Sequence, residues 1–164
     1  MKGKRVSEST VLMAQLMTPE DANPAGNVHG GVIMKLIDNA GGTAAARHAR
    51  SNVVTASIDR LHFHYPVYIG NLIMLKASLN MVGETSMEVG VRVEAENLLT
   101  GEVRHTASAY LTYVALSPKS KPRRVPPLIV ENEEQARRCR EARARRELRQ
   151  LERQQEASQQ KKEE

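Results

Sequence analysis

Two periodicities of hydrophobic residues divide this chain into elements. From Val32 to about His48 the apolar residues recur every three or four positions, which is typical of a helix with one buried face. The apolar stripe consists of Ile33, Leu36, Ile37, Ala40 and Ala44. From Val53 onward the period changes to two, which indicates β-strands. The pattern predicts one long helix followed by strands.

Four strands are predicted after the helix, separated by turn residues such as Gly83-Glu84 and Thr100-Gly101. The clearest strand alternates Met and Val with charged residues or glycine, as expected when one face is buried. The predicted strands are Val53–Tyr65, Ile73–Met81, Met87–Ala95 and Glu102–Ser117, with a less regular first strand at Val6–Met17 before the helix. The simplest packing is an α+β fold, in which one antiparallel sheet wraps around one long helix. Its exposed sheet edges favour oligomers.

The composition changes twice near the C-terminal end. Residues 118–127 contain four prolines among basic residues and are predicted to form an extended arm. Residues 131–164 lack Gly and Pro, and opposite charges at i,i+4, such as Glu134/Arg138 and Glu141/Arg145, predict a helix. With ten basic and nine acidic residues, this segment is expected to be an exposed, partly frayed helix ending in disorder, in preference to a nucleic-acid-binding arm. The predicted units are a domain at 1–130 and a charged helical or disordered tail at 131–164.

Composition and charge restrict the classes of function. The 164 residues carry a net charge of +5, and the residues before the tail account for +4. Such a mildly basic body suits a small polyanion, for example a nucleotide, at least as well as a nucleic acid. The single Cys139 excludes a disulfide framework within one chain, which predicts a reducing compartment such as the cytoplasm. Neither a signal peptide nor a membrane helix is predicted, because no long apolar run is present.

Asp38 is the acid most in need of an explanation, because it lies on or beside the apolar stripe of the helix. It could be a solvated acid or pair with Lys35. It could also be a general base that takes a proton from water. Gly41 and Gly42 each cost the helix roughly 1 kcal/mol relative to Ala, which predicts that another element packs very close to them.

Other polar residues offer further candidate chemistry. Gly30 and Gly31 could form an ordinary tight turn, or could let a carbonyl approach free N–H groups at the helix N-terminus. Asn23 could form a local Asx turn or orient a water or a carbonyl. His62 and His64 could bind zinc, but the sequence offers no clear third ligand and no metal site is predicted. Covalent catalysis by Ser57, Ser86, Ser108 or Cys139 lacks a supporting motif.

Several separated motifs occur together in one order. They are Asp21-Ala22-Asn23 with Gly26-Asn27-Val28-His29-Gly30-Gly31, Met34 with Ile37-Asp38 and Ala40-Gly41, Phe63 with Pro66-Val67 and Ile69-Gly70, Glu96-Asn97-Leu98-Leu99-Thr100-Gly101, Tyr113-Val114-Ala115-Leu116-Ser117, and Val125-Pro126-Pro127. This set closely resembles the hotdog-fold acyl-CoA thioesterases, the group that includes brain-type and YciA-like acyl-CoA hydrolases. The resemblance covers roughly Thr10 to Val130.

The resemblance implies an enzyme that hydrolyses acyl-CoA to a fatty acid and coenzyme A without a further cofactor. It implies that two hotdogs pair into a homodimer with active sites at the interface, and that dimers assemble further, commonly as a hexameric trimer of dimers. Asp38 would be the general base or the nucleophile, and Asn23 would act across the interface with the acid of the other subunit. Backbone amides around Gly31 would polarise the thioester carbonyl.

The chain departs from the family pattern at two positions. Tyr65 stands where relatives often have Arg, and Asn71 stands where they often have an acid. Both departures concern the coenzyme A end of the site. Candidate contacts for that end are Arg60, Thr85, Ser86, Lys119, Lys121 and Arg123, although the basic ones could equally be plain surface charge.

Two other functions are compatible with the same residues. One is another hotdog enzyme, such as an enoyl-CoA dehydratase, which needs an acid–base pair on the helix. His29 precedes the helix, which makes that reaction a poorer match. The other is a non-catalytic acyl-CoA sensor that uses the same pocket.

Overall fold

The computed structural model describes residues 1–163. The described strands are β1 (Lys4–Arg5), β2 (Val11–Leu16), β3 (Asn52–Phe63), β4 (Asn71–Val82), β5 (Ser86–Asn97), β6 (Val103–Leu116) and β7 (Leu128–Ile129), and the helices are α1 (Gly30–Ala49) and α2 (Glu133–Glu163). Short 3-10 turns cover Val6–Glu8 and Pro19–Asp21. Glu164, at the chain end that was predicted to be disordered, lies outside the described residues.

Five strands form one antiparallel sheet in the order β2-β4-β5-β6-β3. The predicted arrangement of one antiparallel sheet around one long helix is therefore confirmed. The first predicted strand is correct only over β2, because Val6–Glu8 folds into a 3-10 turn. β1 and β7 form a separate two-stranded parallel ladder.

The inner face of the sheet packs on α1 and forms the core. On β5, every second residue from Met87 to Ala95 is buried, and on β6 the same holds from Ala107 to Ala115. All five residues of the apolar stripe predicted on α1 are buried. The helix ends at Ala49. The next residue, Arg50, has a left-handed backbone conformation, and its N–H donates to the Ala46 carbonyl at 2.8 Å.

The edge strand β3 is long and partly apolar on its exposed surface. Val54, Ile58 and Phe63 are each more than 40% exposed. Its pairing with β6 contains two irregularities, one between Thr55 and Ser57 and one within Ile58–Arg60. Bulges of this kind change which face of the sheet the following side chains point to.

The charged tail is helical, but it is not simply exposed, and the prediction of a solvated helix is wrong for its first half. α2 packs on the outer face of the sheet, where Ala142 is fully buried. Arg145 donates to the buried Glu88 on β5 at 2.6 Å, and its guanidinium carbon lies 3.7 Å from the centre of the Tyr110 ring. Arg149 forms an ion pair with Asp59 on β3.

The proline-rich arm at 118–127 is fixed at one end of the sheet. The Arg123 N–H donates to the Ala115 carbonyl at 2.9 Å, and the Val125 N–H donates to the Glu84 carbonyl at 3.1 Å. Val125 is buried. The arm therefore lies against the turn between β4 and β5.

Candidate active site

Asp38 lies on α1 directly after the buried Ile37, and its own side chain is partly buried. The Thr55 hydroxyl donates to Asp38 Oδ1 at 2.7 Å. The Tyr113 hydroxyl lies 3.2 Å from the same oxygen and 3.1 Å from the Asp38 backbone carbonyl. No ion pair joins Asp38 to Lys35 in residues 1–163. Two hydroxyls thus lie within hydrogen-bonding distance of one carboxylate oxygen of Asp38, and that of Tyr113 is shared with the backbone carbonyl.

The sheet brings these two hydroxyls together. Thr55 on β3 is the direct cross-strand partner of Tyr113 on β6, so the two side chains share a face. That face packs on α1, where Asp38 lies. Sequence reasoning gave neither residue a role, although Tyr113 begins one of the family motifs, because threonine and tyrosine are ordinary residues in a strand.

The helix N-terminus is where the backbone amides around Gly31 are predicted to meet the thioester carbonyl. Its N–H donates to His29 Nδ1 at 2.9 Å, because the His29 side chain caps the helix. The Gly31 amide is therefore not free to receive a carbonyl in this conformation. Gly30 donates no hydrogen bond within residues 1–163, so its N–H is the available donor at this helix end.

Asn23 forms the Asx turn that the sequence suggested as one alternative. Its side-chain oxygen accepts the N–H groups of Ala25 at 3.0 Å and Asn27 at 3.1 Å. The carboxamide oxygen is therefore committed to the loop, and the NH2 group remains as a donor. Asn23 and Gly30 both line a cleft of about 330 Å³ that is otherwise bounded by Phe63, Tyr65 and neighbouring residues.

Asp38 is not among the residues that line this cleft. Within residues 1–163, Asp38 and Asn23 share no hydrogen bond. Within one chain, the Asp38 carboxylate therefore lies at one place, and the Asn23 side chain with the cleft that it lines lies at another.

The residues predicted to contact coenzyme A fall into two places. Thr85 and Ser86 lie at the turn before β5, and the arm with Arg123 packs against the same turn. Lys119 and Lys121 are exposed in that arm. Arg60 lies elsewhere on the sheet. Its cross-strand partner on β6 is Tyr110, whereas the partner of Ser86 on the same strand is Val114, four residues further along.

A third histidine joins the pair that was considered for zinc. The rings of His62 and His64 lie 6.4 Å apart, and His105 on β6 lies 4.9 Å from His64. His105 Nε2 lies 2.7 Å from the Ser108 hydroxyl. Across residues 1–163, no three His, Cys, Asp or Glu side chains are grouped so that they could bind a metal ion.

Comparison with known proteins identifies the family. The sequence profile described as "Thioesterase superfamily" matches residues 25–102. Protein VdlD of Helicobacter pylori is 38% identical over 139 residues, which cover 85% of this chain and 79% of that protein. The chain belongs to the thioesterase superfamily. The mouse cytosolic acyl coenzyme A thioester hydrolase is also 38% identical over 142 residues, but this thioesterase-family chain spans only 37% of its length.

Solved structures agree with this assignment. An apo-hexameric acyl-CoA thioesterase is 38% identical with a TM-score of 0.89, over 93% of this chain and 97% of the other. A Campylobacter jejuni protein described as a hexameric hotdog fold thioesterase is 35% identical with a TM-score of 0.66, over 76% of this chain and 92% of its own. The fold is the hotdog fold, and the resemblance seen in the sequence is confirmed.

The acyl-CoA hydrolase of Staphylococcus aureus has been solved with butyryl coenzyme A, coenzyme A and coenzyme A disulfide. It is 31% identical with a TM-score of 0.87, over 95% of both chains. Its alanine variants replace an aspartate, an asparagine and a threonine in turn. In that protein the aspartate follows the asparagine by 15 positions and precedes the threonine by 17. Asn23, Asp38 and Thr55 have the same two spacings.

A search of residues 1–163 for a helix long and apolar enough to cross a membrane finds none.

Proposed function

We propose that this protein hydrolyses acyl-CoA thioesters to a fatty acid and coenzyme A. The observation that carries the proposal is the partly buried Asp38 carboxylate, oriented by Thr55, in a chain whose relatives are named acyl-CoA thioester hydrolases. The equal spacing of the three residues replaced in the Staphylococcus aureus hydrolase supports the choice of Asp38, Asn23 and Thr55.

In the proposed reaction, Asp38 takes a proton from a water molecule while the water oxygen attacks the thioester carbonyl carbon. The tetrahedral intermediate then breaks its carbon–sulfur bond. The proton held by Asp38 passes to the departing thiolate, so that the products are the acid and coenzyme A. In the alternative route, Asp38 attacks the carbonyl itself and forms an anhydride, which water then hydrolyses.

Oxygen-18 water distinguishes the two routes in a single turnover. The general-base route places the label only in the fatty acid. If the label instead appears in the Asp38 carboxylate, detected by mass spectrometry of the peptide, general-base attack is excluded.

Asn23 is proposed to act on the substrate as a hydrogen-bond donor. Its side-chain oxygen already accepts two loop N–H groups, so the NH2 group is what it can offer to the thioester oxygen. The free Gly30 N–H in the same cleft would be a second donor, in the place first predicted for Gly31. Because Asn23 and Asp38 share neither a hydrogen bond nor a cleft within residues 1–159, we propose that the acid and the amide of one site come from two chains.

A homodimer is therefore the smallest complete unit in this proposal. The long edge strand β3, with its exposed Val54, Ile58 and Phe63, is an apolar surface suited to a second copy. A trimer of dimers is proposed by analogy with relatives described as hexameric. The phosphates of coenzyme A would face the residues around the turn before β5 and in the basic arm, which are Thr85, Ser86, Lys119, Lys121 and Arg123. Arg60 would be a separate contact.

The cellular compartment and the partners also belong to the proposal. Three relatives are named cytosolic, which supports a cytoplasmic location. The balanced charge of α2 and its docking on the sheet support a protein that does not bind nucleic acid.

A panel of acyl-CoA esters of different chain length, assayed for released thiol, tests the activity. We expect Asp38→Asn to reduce kcat by roughly 10²- to 10⁴-fold, because general-base catalysis is commonly worth that much. Lys35→Gln, an exposed change one turn away on the same helix, is the control and should leave kcat unchanged. Hydrolysis by Asp38→Asn at the wild-type rate would refute the mechanism.

The same panel, with binding of acyl-CoA and hydration of an enoyl-CoA measured beside thiol release, separates the rival functions. A sensor would bind acyl-CoA tightly and release no thiol at any chain length. A dehydratase would hydrate enoyl-CoA and would need His29 as an acid or base. His29 caps α1 through its ring nitrogen, which favours a structural part for it.

A further inference from the structure

The Tyr113 side chain is inserted between β6 and α1 beside Gly41, where the helix has no side chain. A Cβ added at Gly41 would lie 2.5 Å from the Tyr113 hydroxyl and 3.1 Å from two of its ring carbons. Real Cβ atoms essentially never come within 3.0 Å of such an atom, so the hydroxyl alone excludes a side chain at Gly41. Gly41, which was predicted to allow a close approach, thus leaves room for the Tyr113 hydroxyl. At the neighbouring Gly42 the added Cβ would meet only a ring carbon at 3.6 Å, which is ordinary contact.

The admitted hydroxyl reaches both the helix backbone and the acid. It lies 3.1 Å from the Asp38 carbonyl and 3.2 Å from Asp38 Oδ1, and the ring is only 1% exposed. Burial first, and then the nearby Asp38 carboxylate, raise the pKa of Tyr113 above its ordinary value. The phenol therefore keeps its proton and remains a donor.

Asp38 Oδ1 thus accepts the Thr55 hydroxyl and shares the single Tyr113 proton with the Asp38 backbone carbonyl. An oxygen that faces two hydroxyl donors has less remaining capacity to accept a proton, whereas Oδ2 accepts from no group among residues 1–159. The two donors also fix the rotation of the carboxylate. The carboxylate therefore has one anchored oxygen and one available oxygen.

We propose that Tyr113 is a positioning residue for the reaction. Its hydroxyl holds the Asp38 carboxylate so that Oδ2 points toward the water or the thioester. Position 41 is a glycine because any side chain there would displace this hydroxyl. This inference rests on the proposed function. The alternative is that Tyr113 only fills the core and that its hydroxyl bond merely satisfies a buried polar atom.

The test begins with Tyr113→Phe, which removes one oxygen and keeps the packing of the ring. We expect kcat to fall roughly 10- to 100-fold while KM changes less than about twofold, because the orientation of a reacting group is lost and substrate contacts are not. Circular dichroism and melting temperature verify that the variant is folded. Tyr110→Phe, on the same strand but on the outer face under Arg145, is the matched control and should keep wild-type kcat.

The glycines provide an independent arm. Gly41→Ala displaces the hydroxyl and should reduce kcat to a similar extent, whereas Gly42→Ala should not. In the Tyr113→Phe background, the atom closest to the new methyl group is gone. Gly41→Ala should then change kcat by only about twofold more, so that the two losses are strongly non-additive.

Three outcomes are distinguishable. If the wild-type protein releases no thiol from any acyl-CoA, the proposed function fails, and if Asp38→Asn keeps full activity, the proposed role of Asp38 fails; this inference fails with either. If Asp38→Asn is inactive and folded Tyr113→Phe turns over at the wild-type kcat, only the positioning role is overturned. A positioning role is likewise overturned if the losses from Gly41→Ala and Tyr113→Phe simply multiply.

Discussion

The two faces of the central sheet are covered by helices in opposite ways. The inner face meets α1 through side chains such as Leu75, Val89 and Leu111, all of them buried and apolar. The outer face meets α2 through charge, since Arg145 and Arg149 of the helix reach Glu88 and Asp59 of the strands. In this contact Ala142 is the buried apolar residue that α2 contributes.

This difference shows that a helix can dock without an apolar stripe. Burial of apolar area gives the inner contact its stability, and it depends on volume more than on the exact partner. A buried ion pair depends on each partner, because a single charge left behind is not compensated. The outer contact is therefore the more specific of the two and the more easily broken by one substitution.

The largest effect is expected from Glu88→Ala on the outer face. Glu88 is fully buried, and its loss leaves Arg145 without its carboxylate partner, at a cost of about 3–5 kcal/mol in the free energy of unfolding. Urea denaturation measures that loss. The double variant Glu88→Met with Arg145→Met should recover most of it, because neither charge then remains buried. A double variant as unstable as the single one would show that the contact does not depend on charge pairing.

A somewhat smaller effect is expected from Leu111→Ala on the inner face. This side chain is completely buried between the sheet and α1, and the cavity left behind should cost about 2–5 kcal/mol. The control is Leu148→Ala on α2, where the side chain is 48% exposed and the loss should stay within about 0.5 kcal/mol. Equal losses for the two leucines in urea denaturation would contradict the contrast between the faces.

The smallest effect concerns a polar group buried with the inner helix. His48 on α1 is fully buried, with Nδ1 3.1 Å from the Ser9 hydroxyl and Nε2 2.8 Å from the Pro126 carbonyl. Burial is the main cause that lowers the pKa of His48, and the charge of Lys4 adds to it, against the opposing hydrogen bond to Pro126. The unfolded chain binds a proton near pH 6.5, so below that pH the unfolded state binds more protons than the folded one.

The free energy of unfolding should therefore fall as pH is lowered from 7 through 6.5 toward the lowered pKa of His48. His48→Gln should cost about 1–3 kcal/mol at pH 7 and should flatten that decline. Urea denaturation at several pH values measures both effects. His62→Gln, at an exposed site on β3, is the control. An unchanged pH slope in His48→Gln would exclude this histidine as its source.

The same contrast explains how much of the fold could be predicted from the sequence. The core could be predicted from periodicity, because apolar residues at every second position indicate a strand with one buried face, and apolar residues at every third or fourth position indicate a helix with one buried face. The docking of α2 could not be predicted, because arginines at i,i+4 from acids are explained equally well by pairs within the helix. Two such pairs do form, Arg137 with Glu141 and Arg138 with Glu134, but Arg145 turns to the sheet instead of pairing with Glu141.

The candidate site was predicted only in part, for a similar reason. Asp38 was visible as an acid in an apolar stripe, and Gly41 was visible as a helix glycine that needed a close neighbour. Thr55 and Tyr113 were not visible, because the pairing of β3 with β6 brings them beside Asp38 and no local pattern encodes that pairing. The hydrogen bond from Gly31 to His29 was not foreseen, because a histidine side chain at a helix N-terminus is not among the common caps.

The bulges of β3 have a consequence for the length of the chain. In a regular strand, residues four positions apart lie on the same face, yet Thr55 contacts Asp38 beside α1 while Asp59 pairs with Arg149 of α2 on the other side. The irregular pairing between them makes this possible. Deleting one residue from this stretch would turn one of the two side chains to the wrong face, even if every remaining residue type were kept. At this edge, the number of residues is as strongly constrained as their identity.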